Sequence, residues 1–424
     1  MAIDKALIED EEYDPFQAMD NALGANIVRN PYPQFAEMRR KGQIHKGGIW
    51  QHVVTDAPPE NGGGEPIAMA YRDVPVYSAV GYDAVTQVLR SPGRPFSSSA
   101  YADTMGIVMG HSILEMDEPE HAGYRTLLEG VFSKRAMERW EADVITPTIQ
   151  HHIDTFADRG HADLVREFTF PFPVHVISGL LGLPEEDLPQ FHRWAIELIN
   201  VGFDPPRGIA ASQKLHDYFI EIINERRSEA REDMISVLAH AELDGQRLDD
   251  EQICAFLRLL LPAGAETTYR SSSNLLFGLL THPDQLDAVR MDRSLLPQAI
   301  EEGLRWEPPL TNIVRRTVED TEVCGVPIPA GAAIMVCTAS ANHDESRWEN
   351  AEEFDIFRKR FPPVAFGFGP HVCLGQHLAR METTVAVNAL LDRLPNLRLD
   401  PACEDPHITG LMFRSPVTLP VLFG

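Results

Sequence analysis

FGFGPHVCLGQHLAR, residues 366–380, sets one cysteine, Cys373, among Gly367, Gly369 and Gly375, with Phe366 leading and His371 two positions ahead of the thiol. A cysteine packed only for its volume gains nothing from glycine neighbours, which cost conformational entropy wherever they are not required. Glycines suit a backbone that must come close to something. After Cys373, GQHLARMETTVAVNALLDRL carries apolar residues at helical spacing, so the thiol is expected just ahead of a helix. There, unpaired N–H groups and a partial positive charge lower a thiol's pKa and hold it as thiolate.

The rest of the chain narrows what that thiol can serve. With 424 residues and 44% hydrophobic side chains, a large core can be buried. A formal charge of -26 argues against a nucleic-acid binder, which presents a basic face. The other cysteines, 254, 324, 337 and 403, form no CxxC pair and no disulfide framework with Cys373, which fits a reducing cytoplasm. No segment reaches about 18 uninterrupted apolar residues, so no membrane anchor is expected.

Residues 1–30 read as an acidic N-terminal extension, and TDAPPENGGGEP, residues 55–66, as a Gly/Pro-rich loop joining two short strands, around Ile49–Val54 and Ile67–Tyr71. From about 117 to 305 the spacing is helical, with long amphipathic stretches such as SQKLHDYFIEIINERR. Short strand-like runs follow in EVCGVPI and AAIMVCTAS, and VTLPVLFG reads as a last strand.

Three further stretches carry chemistry. In LLPQAIEEGLR, Glu302 and Arg305 lie three apart on one helix face, where a carboxylate and a guanidinium pair; at a surface such pairs are common and weak. In AGAETT, Gly264, Glu266 and Thr267 follow the apolar run LRLLLP, and an acid beside a hydroxyl in a buried helix needs a chemical reason. In DEPEHAGYR, His121 and Arg125 are four apart, hence on one helix face. A zinc site built from His371, Cys373 and His377 is disfavoured, because closed structural sites use four protein ligands and no fourth is near.

Taken together, F-G-x-G-x-H-x-C-x-G-x-x-L-A-R resembles the cysteine-ligand signature of the cytochrome P-450 family at every defining position, and the likeness extends from about Pro31 to Leu419. It implies one mainly α domain with small β-sheets, residues 1–424, built as a triangular helical prism with haem b between a long central helix and the cysteine-loop helix. It implies that Cys373 is the axial iron ligand, with Phe366, Gly367 and Gly375 packed against the cofactor. Glu302 and Arg305, joined by Arg358, form a structural triad. Glu266 and Thr267 are the catalytic acid and alcohol that deliver protons to bound dioxygen, and Gly264 leaves room for it. His121, Arg125, His371 and Arg315 hold the haem propionates, with Arg316 as an alternative if the register slips by one.

The same likeness implies a monooxygenase acting on a hydrophobic small molecule of terpenoid, steroid, fatty-acid or aromatic type. Met109, Leu259, Ala263, Thr311, Ile313, Val314, Met412 and Phe413 are the expected pocket residues. With no flavin or iron–sulfur segment in the sequence, electrons from NADH or NADPH are expected through a separate ferredoxin reductase and ferredoxin. The ferredoxin would dock on a basic patch drawn from Arg358, Lys359 and Arg360 or Lys134 and Arg135. A soluble cytoplasmic monomer is expected, with no nucleic-acid partner.

Overall fold

The computed structural model describes residues 13–22, 28–54, 71, 73–243, 245–359, 361–403 and 405–424. The Gly/Pro-rich stretch 55–66 and Arg360 lie outside them. The main sheet has five strands: β1 (Ile44–Lys46), β2 (Val76–Ala79), β3 (Phe96–Ser97), β4 (Ile313–Thr317) and β5 (Ala333–Val336), in the order β1-β2-β5-β4-β3. Only β5–β2 is parallel. Of the two early strands expected, residues 67–70 lie outside the described residues, and the stretch around Ile49–Val54 is not a strand. Ile49–Val53 is a helix whose Ile49 and Val53, four apart, are both buried, a pairing that suits helical periodicity better than strand alternation. EVCGVPI folds into the two-stranded hairpin Thr321–Val323 and Val326–Ile328, turning on Cys324 and Gly325, both at positive φ.

Helices supply most of the rest: α1 (Tyr82–Leu89), α2 (Glu120–Val131), α3 (Pro171–Leu181), α4 (Pro205–Ser228), α5 (Asp250–Thr281), α6 (Leu296–Trp306) and α7 (Gln376–Arg393). At 32 residues α5 runs roughly 48 Å, at about 1.5 Å per residue. Its start is set by a capping box in which Asp249 and Gln252 satisfy each other's amides. α3, α4, α6 and α7 all pack against it. Near the C-terminus β6 (Ile408–Thr409) and β7 (Ser415–Pro416) form a small antiparallel pair whose second strand also lies on α5. No helix among the described residues is long and apolar enough to cross a membrane.

Burial along α5 is nearly continuous, and the breaks are ordered. Leu259, Leu260, Gly264, Thr267 and Ser271 are half-buried and Ala263 is exposed, all on one face at spacings of three and four. A small cavity lined by Ser271, Phe366, Ala379 and Arg380 marks where this face meets the cysteine segment and α7.

Two glycines test the packing. A Cβ on Gly278 of α5 would lie 2.8 Å from the Phe354 ring, whereas one on Gly130 of α2 would meet nothing within 4 Å. Alanine gains about 1 kcal/mol over glycine inside a helix, while overpacking a core costs about 1–3 kcal/mol. Gly130→Ala is therefore expected to stabilise the protein by up to about 1 kcal/mol, and Gly278→Ala to destabilise it by about the same or more, in chemical denaturation.

Candidate active site

Cys373 sits between the short 3-10 turn Gly369–His371 and α7, as its sequence context required. The Cys373 amide donates to the Phe366 carbonyl at 2.8 Å, closing the loop, and the amides of Gly375 and Gln376 point at the sulfur. Gly367 and Gly369 both adopt φ of +76, a conformation that favours glycine. Gly369 departs from the expected close approach to a cofactor. A Cβ on Gly369 would lie 2.4 Å from the Leu89 carbonyl at the end of α1, so this glycine serves loop-to-helix packing. Gly375 alone of the three faces open space, where a flat group could lie against the backbone.

The thiol's electrostatics also depart from the expectation. Cys373 is accessible on one side, yet burial is the largest influence and raises its pKa; the amides of Gly375 and Gln376 and the cations Arg125 and Arg380 only partly offset this. The helix start therefore does not by itself lower the pKa of this thiol; a directly bound cation would, and a soft sulfur ringed by amide donors suits a haem iron.

On the neighbouring side, four nitrogen-bearing residues converge from three elements. His121 and Arg125 come from α2, Arg315 from β4 and His371 from the cysteine loop. The His121 and His371 rings are 4.0 Å apart. Burial first, then Arg315, His121 and Arg125, hold His371 down to a pKa of about 3, so it stays neutral. His121 Nδ1 meets Glu118 at 3.0 Å, and Ser98 Oγ lies 3.1 Å from His371 Nε2. Arg125 donates to Glu129 at 2.7 Å and to the Val372 carbonyl at 2.5 Å, pinning α2 to the cysteine loop.

Strand alternation resolves the Arg315/Arg316 ambiguity. Arg315 is buried on the face shared with Ile313 and Thr317, while Arg316 turns outward to an ion pair with Asp103. Two guanidiniums and two imidazoles gathered in a buried space form a donor set that suits a pair of carboxylates such as haem propionates. The residues present therefore fit haem.

Glu302 and Arg305 form a bidentate pair, both bonds 2.8 Å, at 5% and 2% side-chain exposure. Arg358 adds a 3.3 Å bond to Glu302 and donates to the carbonyls of Glu349, Asn350 and Glu353. Arg358 thereby spends its donors on these partners, while its half-buried side chain also lines the groove on the cysteine side. Lys134 lies 3.7 Å from Glu138, leaving Lys359 as the exposed cation of the first patch among the described residues.

On α5, Thr267 Oγ1 donates to the Ala263 carbonyl at 2.7 Å. Glu266 is buried and accepts from Arg270 Nε at 2.5 Å, a partner one turn away that sequence spacing could have revealed. Gly264, half-buried on the accessible face, also borders α3: a Cβ there would lie 3.3 Å from Ile177.

The expected pocket divides. Leu259, Ala263, Ile313, Met412 and Phe413 keep accessible surface. Thr311 and Val314 have none, and Met109 almost none. Thr311 is instead a tie, donating from N to Met412 O and from Oγ1 to Leu411 O, and Val314 N donates to Tyr101 OH. Ser98 and Tyr101, outside the expected cofactor set, stand beside His371 and Arg315, held there by a Ser97–Tyr101 segment with little sequence signal.

A family model described as Cytochrome P450 matches residues 206–409. The chain is 35% identical over 390 residues to the Cytochrome P450 monooxygenase PikC of Streptomyces venezuelae, covering 89% of this chain and 87% of that protein. It is 36% identical over 356 residues to a Steroid C26-monooxygenase of Mycolicibacterium smegmatis, covering 82% and 87%. The crystal structure of CYP109E1 from Bacillus megaterium in complex with testosterone superposes with a TM-score of 0.80 at 30% identity, over 93% of this chain and 99% of that one.

Breaking the Glu302–Arg305 pair tests how the site is supported. Glu302→Gln keeps the shape but strands a buried guanidinium, with an expected loss of roughly 3–5 kcal/mol, whereas Arg358→Met, removing a half-buried partner, should cost about 1–3 kcal/mol. Urea denaturation read alongside haem content checks both.

Proposed function

The chain belongs to the cytochrome P450 family, and from that premise we propose that it is a haem-dependent monooxygenase of a hydrophobic small molecule, supplied with electrons by a separate ferredoxin and its reductase. The observation that carries the reading is the facing pair of features around one space: an amide-ringed Cys373 thiol and a buried cluster of His121, Arg125, Arg315 and His371. Cys373 would hold the iron and the cluster the propionates. When bound, haem supplies the activation of dioxygen and the power to oxidise a C–H bond.

The chain's own residues set access and protons. Thr267 has committed its hydroxyl hydrogen to the Ala263 carbonyl, so Oγ1 offers lone pairs to the accessible face of α5 and can hold an arriving donor in place. The proton itself must come from another group. Glu266, next in sequence and buried, is the group with the chemistry to pass one inward. Leu259, Leu260, Ala263, Ile313, Met412 and Phe413 would orient the substrate and exclude water by apolar contact. Relatives named for steroid C26 oxidation and solved with testosterone support a steroid within the broader hydrophobic class.

For electron entry, a groove of about 790 Å³ opens on the cysteine side, lined by Lys359, Phe361, Phe368, Val372, Gln376 and Arg380 among others. The lining also holds Glu301, Glu302 and Asp355, and Arg380 is paired with Glu301, so Lys359 is the exposed cation the groove would offer a small acidic ferredoxin. NADH or NADPH is the proposed ultimate donor, and a soluble cytoplasmic monomer the proposed form.

Purified protein reduced under carbon monoxide should give the Soret band of thiolate-ligated haem, and Cys373→Ser should lose it. A panel of steroids, terpenoids and fatty acids should include members that shift the ferric haem to high spin and are hydroxylated with ferredoxin, reductase and NAD(P)H. Full turnover on peroxide, with no gain from ferredoxin, would replace this reading with a peroxygenase.

A further inference from the structure

The acid of the proposed proton path is not isolated. Glu266 accepts from Arg270 Nε at 2.5 Å, both side chains being at most 5% exposed, and the carboxylate stands N-terminal to the cation by four residues, the favourable order for such pairs. Arg270 reaches further. Its Nη1 donates to Ser415 Oγ at 3.0 Å in β7, and its guanidinium lies 4.9 Å from the Tyr269 ring centroid and 5.6 Å from that of Phe413. Ser415 Oγ is shared with Tyr269 OH at 3.2 Å. Phe413 and its neighbour Met412, two of the expected pocket residues, keep accessible surface, and Phe413 bridges to Leu310 just before β4.

We propose that Arg270 is the positioning residue of the proton path, fixing the Glu266 carboxylate and linking its orientation to the C-terminal turn at Phe413–Ser415 that borders the substrate pocket. The inference rests on the reading of Glu266 and Thr267 given above. A guanidinium is suited to the task because its planar fork bonds the carboxylate through Nε and Ser415 through Nη1 while its face lies over an aromatic ring. A substrate pressing on Phe413 therefore acts on the same guanidinium that holds the acid. The turn that senses occupancy and the group that meters protons share one side chain.

The step this governs is the fate of the electrons. In coupled turnover substrate, dioxygen, a pair of electrons from ferredoxin and a pair of protons give hydroxylated product and water. In uncoupled turnover the dioxygen, electrons and protons give hydrogen peroxide and the substrate is left unchanged.

The test compares Arg270→Met, Arg270→Lys, Ser415→Ala and Glu266→Gln in the holoenzyme, with a substrate that shifts the spin state. Arg270→Met should raise the peroxide-to-product ratio about tenfold, short of the roughly hundredfold that misplacing a catalytic group can cost, with substrate Kd from the spin-state titration nearly unchanged. Arg270→Lys should restore part of the coupling and Ser415→Ala should lose part. Thermal unfolding of the single and double variants should show coupling between Glu266→Gln and Arg270→Met, a readout independent of turnover.

If Arg270→Met does not fold, the Arg270→Lys and Ser415→Ala partition ratios decide the matter alone. Unchanged partition in the Arg270 and Ser415 variants while Glu266→Gln uncouples would overturn the inference. So would a weakened Kd with unchanged partition, which would make Arg270 a pocket wall. Unchanged partition in Glu266→Gln itself, with Thr267→Ala also silent, would instead sink the underlying proton-path reading.

Discussion

Arg305 holds its guanidinium at 2% side-chain exposure, and the rest of the site is suspended from the partners that surround it. Glu302 grips it through both oxygens, and the carbonyls of Asn342, Ala351 and Glu353 take its remaining hydrogens. Those carbonyls belong to the loop between β5 and the cysteine segment, so satisfying one guanidinium fixes a long irregular stretch. Asn342 passes the constraint on, because its Oδ1 accepts from Val364 N at 2.8 Å. Val364 O accepts from Gly367 N, and Phe366 O from Cys373 N. An unbroken route of hydrogen bonds and short backbone steps thus leads from a buried ion pair to the thiol. Its value is geometric: a buried pair contributes little net stability, but losing one partner is costly, so the loop has no cheap alternative.

Charge is distributed on two scales that oppose each other. The chain carries a formal charge of -26, yet the space beside Cys373 gathers Arg125, Arg315, His121 and His371. Concentrating cations away from water is unfavourable unless an anion joins them. The protein moderates the cost by keeping His371 neutral and by giving Arg125 and His121 their own carboxylates, Glu129 and Glu118. What remains is the single charge of Arg315, beside Asp117, together with the N–H donors of the cluster, a set that would suit an anionic ligand.

The parts of this design that were legible in the sequence are those with short-range geometry. The cysteine motif, the Glu302–Arg305 spacing and the His121–Arg125 spacing each fit within a turn or two of chain, where residue order fixes relative position. Glu266 and Arg270 obey the same rule, although their neighbour Thr267 draws attention first. Arg315 over Arg316 needed β4 to declare its faces. The pocket was less legible, because Thr311 and Val314 are buried by hydrogen bonds to residues distant in sequence, Leu411, Met412 and Tyr101, that no local pattern announces. The raised pKa of the Cys373 thiol has a related origin: a helix start is visible in sequence, but the burial that outweighs it is tertiary.

α5 shows how scaffold and chemistry coexist in one element. Most of its surface is core, packed against α3, α4, α6 and α7, and Pro262 interrupts its hydrogen-bond ladder one turn before Thr267 by withholding a donor from the Arg258 carbonyl. Thr267 adds a second bond to the Ala263 carbonyl, a habit of hydroxyls in helices. Both deviations fall on or beside the one accessible stripe of the helix. A helix held rigidly on its other sides can tolerate them there. Because α3, through Ile177, closes over Gly264, the backbone cannot relax by moving toward that neighbour. Precision at Thr267 therefore comes from packing on the faces that do no chemistry.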